Sequence, residues 1–341
     1  MATADSIRAG GKEALLKVIR DLGYDPAPIF TGAGFDDNLP SDSDQAVSVA
    51  MFSKLFAHSV KHTGCACIGL LVGAEATLSW LGRTGFIARN SENLALALTC
   101  IGEYLDNYDR SSVVALKRVN DIVSISYSPL FFVEGQDQWL VSVMSCGVKI
   151  IRELCRESWV PIEVSFAIAR PADIRPYEVF FRAKLIFEAA ETAMLFDASW
   201  LEYLIEDAQP ELYRLLLKDV DQAAIYDPKN FPLDVLRLTR TLIGTGQCSA
   251  TKIGALLGLR PNAFYRKLSV QGTSFKQVVD EVRFEMSKQL LRNTTMSLNQ
   301  ISARLEYSDI TAFTRAFSRW SSMPPGEWRR RSRLGQMSPL D

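Results

Sequence analysis

Two arginines, Arg266 and Arg315, each stand in a short run with helical spacing. Asn262 and Tyr265 share a face with Arg266, and Ile310, Thr311 and Thr314 share one with Arg315. An arginine offers two parallel N–H donors that match the O6 and N7 acceptors of guanine in the major groove, and Asn and Thr also read base edges. The plain alternative for either arginine is a solvated surface cation, and for Tyr265 and Ile310 it is partial core packing. Lys252, Lys267, Arg319, Arg329 and Arg330 lie near these runs and suit phosphate oxygens. The Arg329–Arg333 run reads equally as a solvated charged end. A second constellation is His58-x3-His62-x2-Cys65-x-Cys67, in which two imidazoles share a helix face and two thiols follow. A metal or redox site is chemically open there. The Cys-x-Cys spacing is not the common one, however, and Cys67 begins an apolar run, so the expectation is no metal and no cofactor. His58 and His62 are the only histidines, no Pro-Cys-His-Arg motif occurs, and the glycines form no phosphate cradle, so no enzyme is expected.

The elements that must position the arginines are short amphipathic helices. Ser297 with Gln300 forms a capping box, and Leu298, Ile301 and Leu305 make an apolar stripe. The run Glu306–Asp309 breaks the stripe, and Ser308 is the expected cap of a second helix. In that helix Phe313, Ala316, Phe317 and Trp320 fall on one face, with Thr311, Arg315 and Ser318 opposite. Upstream the pattern recurs. Ser249 caps a helix with Ile253, Leu256 and Leu257 inward, and Gly258 suits its end. Pro261 then opens a helix with Phe264 and Leu268 on one face, Asn262 and Arg266 on the other. Between the copies Ser274 caps a longer helix bearing Phe275, Val278, Val282, Met286 and Leu290. Two reading helices held by such a connector can enter successive major grooves, roughly 34 Å apart.

The segment from about Leu233 to Arg331 resembles the DNA-binding domain of the AraC/XylS family of bacterial transcription regulators. The first unit matches it at Ile253, Leu256, Gly258, Arg266, Leu268, Gly272 and Phe275. The second matches at Ile301, Ala303, Leu305, Tyr307, Ser308, Phe313, Arg315, Ala316, Phe317, Trp320, Pro325 and Arg329. Glu306 departs from the pattern, standing where the family usually has glycine. The resemblance implies double-stranded promoter or operator DNA and RNA polymerase as partners, and base reading by Asn262, Tyr265, Arg266, Ile310, Thr311, Thr314 and Arg315.

The rest of the chain is different in character. From Leu233 onward there are 17 basic and 8 acidic residues, a charge of +9, so the −1 total leaves −10 on the preceding part. A basic C-terminal domain is the footprint of a phosphate-backbone binder. With 48% hydrophobic and 23% charged residues in 341, the chain can bury sizeable cores in two or three domains. The sequence MATADSIRAGGKEALL shows no signal peptide and no stretch approaches about 18 apolar residues, so no membrane span and a cytoplasmic location are expected.

Before Leu233, helices are expected at Asp5–Gly23, Ser43–His62, Leu70–Leu81, from a Ser91 cap to Tyr104, at Gln136–Glu157, Pro176–Arg182 and Leu201–Asp221. Tyr24–Pro40 and Gly82–Asn90 read as loop and turn. Strands are expected at Val113–Arg118 and Ile122–Tyr127, with Phe131 and Phe132 extending the second, and at Val160–Ala169; Leu185–Phe187 and Ala193–Phe196 read as a hairpin. This part resembles, more loosely, the arabinose-binding-domain-like effector domain of one branch of that family, on the order of its elements, Gly69-Leu70 and Pro176 to Phe196. That likeness implies a small, often apolar, effector and a homodimer. The expected fold is thus an α+β effector domain over 1–225, a linker over 226–232, an all-α domain with two helix-turn-helix units over 233–331, and a flexible tail over 332–341. An architectural DNA binder without effector, or a metal- or redox-sensing regulator using His58, His62, Cys65 and Cys67, are the alternatives.

Overall fold

Apolar residues at helical spacing build most of the first 105 positions, and β-branched alternation builds the sheet that follows. The computed structural model describes residues 6–8, 11–35, 46–105, 109, 111–133, 135–223 and 231–334. They fall into two units: Met1–Ser128 with Val133–Ala224, and Pro129–Phe132 with Ile225–Asp341.

In the first unit β1 (Ser6–Arg8) pairs antiparallel with β2 (Ala46–Ser48), flanking α1 (Gly11–Asp21) and α2 (Pro26–Ala33). The expected Tyr24–Pro40 loop therefore contains a helix. Asp25 caps it through the Ala27 N–H, Pro26 opens it without wasting a donor, and Ile29 and Phe30 are buried beneath it. Helix α3 (Val49–Thr63) starts at a Ser48 cap rather than at Ser43, because the residues before it are spent on β2. After α4 (Ile68–Ala74) and a 3-10 turn at Leu78–Leu81 comes α5 (Gly82–Arg89), where only a turn was expected. Gly85 permits this tight reversal, since a Cβ there would lie 1.8 Å from the Leu78 carbonyl oxygen. Helix α6 (Leu94–Tyr104) is capped by Asn93, whose side chain accepts the Leu96 N–H at 3.0 Å. Ser91, the expected cap, instead donates to Ile87 O.

Strands β3 (Ser112–Val119) and β4 (Ile122–Pro129) turn at Asn120, which adopts φ 54° as asparagine tolerates. Phe131 and Phe132 lie beyond the end of β4. Helix α7 (Asp137–Cys155) packs closely on α4: a Cβ on Gly69 would meet Gln138 O at 2.1 Å. The Gln138 side chain clamps that crossing, accepting Gly69 N–H at 2.8 Å and donating to Ala66 O at 2.9 Å. Then follow β5 (Glu163–Ser165), α8 (Arg175–Phe181), β6 (Lys184–Ile186), β7 (Thr192–Asp197), a 3-10 turn at Ala198–Glu202 and α9 (Pro210–Ala223). The expected β6–β7 hairpin does not form. Strand order is β3-β4-β7-β5-β6, with β7 antiparallel to both β4 and β5, and β6 parallel to β5. Ala193, Met194 and Phe196 are all buried on β7, which suits a strand with two neighbours and not a hairpin arm at an edge. The expected Val160–Ala169 strand shortens to three residues, and Phe166 and Ile168 fill the core from irregular backbone. Likewise Leu201–Asp221 is not one helix, since α9 begins only at Pro210.

The second unit is all-α. It comprises α10 (Phe231–Leu242), α11 (Ala250–Leu256), α12 (Pro261–Val270), α13 (Phe275–Asn293), α14 (Leu298–Arg304), α15 (Ile310–Ser321) and α16 (Pro325–Arg333). Phe231 and Pro232, expected in the linker, open α10; the linker's 226–230 lie outside the described residues. Ser332 and Arg333, expected in the tail, are helical, and 335–341 lie outside the described residues. Helix α13 touches α10, α14, α15 and α16 and is the brace of the unit. The Pro129–Phe132 segment belongs here too: the Phe132 N–H donates to Glu285 at 2.6 Å and its ring meets Trp328 edge-on. Among the described residues no single helix is long and apolar enough to cross a membrane.

Candidate nucleic-acid interface and ligand cavity

Helix α12 turns Phe264 and Leu268 fully inward and leaves Asn262, Tyr265 and Arg266 exposed. Helix α15 does the same with Phe313 and Phe317 inside, Ile310, Thr311 and Arg315 exposed, and Thr314 half-buried. All seven expected base-reading residues therefore sit on the solvent side of the second helix of a helix-turn-helix pair, α11–α12 or α14–α15. Local capping sets both starts. Ser249 accepts the Lys252 N–H at 3.2 Å, Pro261 opens α12, and the Ser297–Gln300 capping box is complete. Asp309, not Ser308, caps α15, taking the Ala312 N–H at 2.7 Å. That bond first, and the Ser308 hydroxyl second, hold the Asp309 carboxyl below the usual carboxylate range. One inward expectation fails: Leu256 is 53% exposed, because Ala250, Ile253 and Gly254 already fill the buried side of this seven-residue helix.

Glu306 resolves the departure from glycine in the second turn. Its backbone takes φ 57°, the left-handed conformation a glycine would adopt freely. Its carboxylate accepts the Gly244 N–H at 2.9 Å and the Gly246 N–H at 2.7 Å, and its carbonyl accepts from Arg283 at 2.9 Å. Charge-assisted bonds to two backbone donors offset the roughly 1–2 kcal/mol strain of a left-handed L-residue. Glu306→Ala keeps the strain and loses both acceptors, whereas Glu306→Gly loses the acceptors alone. Ala is therefore expected to be the more damaging by about 1 kcal/mol in urea denaturation of the whole chain; equal midpoints for the two variants would refute this account.

The five expected phosphate cations divide. Lys252 and Arg330 are exposed or half-exposed at the surface. Lys267 sits 5.2 Å from the Phe231 ring centre, and Arg319 is 65% exposed with a loose 3.9 Å approach to Asp280, so both remain at the surface with a partner at hand. Arg329 is different: its guanidinium donates to Leu291 O at 3.1 Å and Met296 O at 2.6 Å. It ties α16 to the end of α13, with two of its donors spent on the protein's own carbonyls. Arg333 makes the same kind of tie to Arg292 O and Thr294 O. Tertiary carbonyls at the open end of α13 capture both, which no spacing in the sequence reveals.

The His58–Cys67 constellation falls into two close pairs, His58 with His62 and Cys65 with Cys67. His62 Nδ1 engages His58 O at 2.9 Å within the same helix, and the two rings stack 6.1 Å apart. Cys65 and Cys67 bring their sulfurs to 3.7 Å. Among the described residues no group of three or more His, Cys, Asp and Glu is arranged to hold a metal ion.

The first unit holds a cavity of about 220 Å³ among α6, α7, β3, β4 and β7. Its wall is apolar, with Phe52, Trp80, Ile101, Ile125, Val143 and Met194. One end is polar. The Trp139 indole N–H donates to the Tyr127 oxygen at 3.0 Å, and the Tyr127 O–H donates to Asp109 at 2.7 Å. Asp109 also accepts from Ser111 N, Ser111 Oγ and Ser112 Oγ. Burial, and then the neighbouring Asp109 charge, push the Tyr127 hydroxyl well above its ordinary range, so it remains a donor. Burial likewise pushes the Cys146 thiol in the wall up to about 12 and keeps it neutral. Sequence reading missed this site. Its lining comes from β3, β4 and β7, from α6 and α7, and from other helices and a loop residue, and no local spacing joins them.

Two helix-turn-helix units on one helical brace, with their polar faces outward, define a DNA-binding transcription regulator. Residues 253–331 match the helix-turn-helix domain family, and residues 23–204 match the family described as the arabinose-binding domain of AraC transcription regulator, N-terminal. The chain belongs to the AraC family of transcription regulators. It is 24% identical over 332 residues to the HTH-type transcriptional regulator VirS of Mycobacterium tuberculosis, spanning 96% of this chain and 98% of that one. It is 24% identical over 352 residues to the ornithine utilization regulator of Pseudomonas aeruginosa, covering 96% and 97% of the two. The crystal structure of the transcriptional regulator CdpR from Pseudomonas aeruginosa aligns with 91% of this chain and 97% of its own, at 19% identity and a TM-score of 0.44.

Proposed function

We propose that this regulator reads paired sites in double-stranded DNA as a cytoplasmic homodimer and that a small molecule in the cavity of its first unit controls the reading. The carrying observation is the outward placement of both cationic faces, α12 with Asn262, Tyr265 and Arg266 and α15 with Ile310, Thr311, Thr314 and Arg315, on a unit braced by α13. Arg266 and Arg315 contact base edges in successive major grooves. Lys252, Lys267, Arg319 and Arg330 engage phosphates and supply the salt-dependent share of affinity. The effector acts through differential affinity for two arrangements of the protein, and RNA polymerase is recruited or blocked as a consequence.

The test is selection of bound duplexes from a random pool, followed by footprinting of the full-length protein on the winner. Two protected patches per protomer are expected on one side of the duplex, roughly 34 Å apart. Affinity should fall steeply between about 50 and 200 mM salt. A single patch, or binding insensitive to salt, would overturn the paired-groove reading.

A further inference from the structure

We infer that the cavity of the first unit takes an uncharged apolar molecule about the size of one substituted aromatic ring and rejects carboxylates of the same size. This rests on the effector-controlled reading above and adds to it the chemistry of the ligand. Size is the first argument. An apolar cavity of about 150 Å³ admits benzene, and ordinary drug-sized pockets begin near 300 Å³; at about 220 Å³ this one falls between. Shape is the second. Phe52, Trp80 and Trp139 offer ring edges and faces, and Met144 and Met194 offer thioethers that adapt to an aromatic guest. Gly147 keeps the space open at the α7 wall, where an added Cβ would come within 2.9 Å of the Met194 methyl.

Charge is the third and decides the class. Among the described lining residues Asp109 alone is charged, and none is Lys, Arg or His. A carboxylate ligand there would lose part of its hydration, find no cation among the described lining residues and face the Asp109 carboxylate. The polar groups at that end are already committed to one another: Trp139 donates to Tyr127, Tyr127 to Asp109, and Ser111 and Ser112 to the same carboxylate. The site therefore rewards apolar surface and not a polar head group.

Trp80 and Trp139 in the wall provide the readout. Full-length protein without DNA is titrated with ethylbenzene and, separately, with benzoate, following tryptophan fluorescence and thermal midpoint. Ethylbenzene is expected to give a saturable fluorescence change and a rising midpoint, with benzoate at least about tenfold weaker. Val143→Phe and, independently, Ile101→Phe fill the cavity from different walls; whichever of them keeps the native midpoint should lose the ethylbenzene response. No response to ethylbenzene, benzoate binding as tight as ethylbenzene, or a response undiminished in the filled variants would overturn the assignment. Ethylbenzene binding that leaves affinity for the selected duplex unchanged would instead sink the effector-controlled reading and leave the cavity's chemistry standing.

Discussion

Replacing Phe317 with alanine is expected to destabilise the second unit by about 3–5 kcal/mol, the range for truncating a fully buried aromatic. Phe317 is wholly buried. Its ring meets Phe284 of α13 at 5.5 Å, Phe313 of its own helix at 5.9 Å and Trp328 of α16 at 5.9 Å. The contacts with Phe284 and Trp328 join the reading helix to the brace and to the last helix, so the void cannot close by moving one side chain. Urea denaturation of the full-length chain, followed by circular dichroism, measures the loss. A shift below about 1 kcal/mol would mean that the site collapses freely, and that α15 is not held by this aromatic cluster. DNA affinity should fall with stability in this variant, and a duplex in excess should restore part of the midpoint by mass action.

Two residues earlier, Arg315→Ala is expected to do the opposite: leave stability within about 0.5 kcal/mol of the parent and weaken binding to the selected duplex by about 1–3 kcal/mol. Arg315 is exposed, and among the described residues no hydrogen bond or ion pair fixes its guanidinium. Its removal therefore leaves no buried partner behind. The loss should be concentrated at one base position, where specificity relaxes, and Arg315→Lys should recover only part of it because an ammonium lacks the planar two-donor fork. Binding measured on a panel of duplexes differing at single positions distinguishes the roles. A uniform loss over the panel, accompanied by a shallower salt dependence, would reassign Arg315 to a phosphate.

The contrast between these neighbouring residues is legible in the sequence, because it depends only on helical periodicity. Phe313 and Phe317 repeat every four residues and Arg315 lies between them on the opposite side. The same local logic marks the Ser249 and Ser297 caps, Pro261, Gly258 and the turn at Asn120, each decided within four residues of chain. It fails where two residues compete for one local role, as at Ser308 and Asp309, or Ser91 and Asn93. There the donor's geometry chooses, and composition does not.

What the amino-acid order determined by itself was the two-part plan, the basic second unit, its paired amphipathic helices and the outward faces of Arg266 and Arg315, since each follows from periodicity, capping or net charge. Tertiary structure alone decided the sheet order with β7 at its centre, the capture of Arg329 by carbonyls of Leu291 and Met296, the anchoring of Glu306 on Gly244 and Gly246, and the cavity around Tyr127 and Trp139. These arise between residues from 33 to 62 positions apart in the Arg329 and Glu306 cases, and among several elements in the cavity and sheet. Their free energy is gained only when the chain has closed on itself, so no short stretch carries their signature.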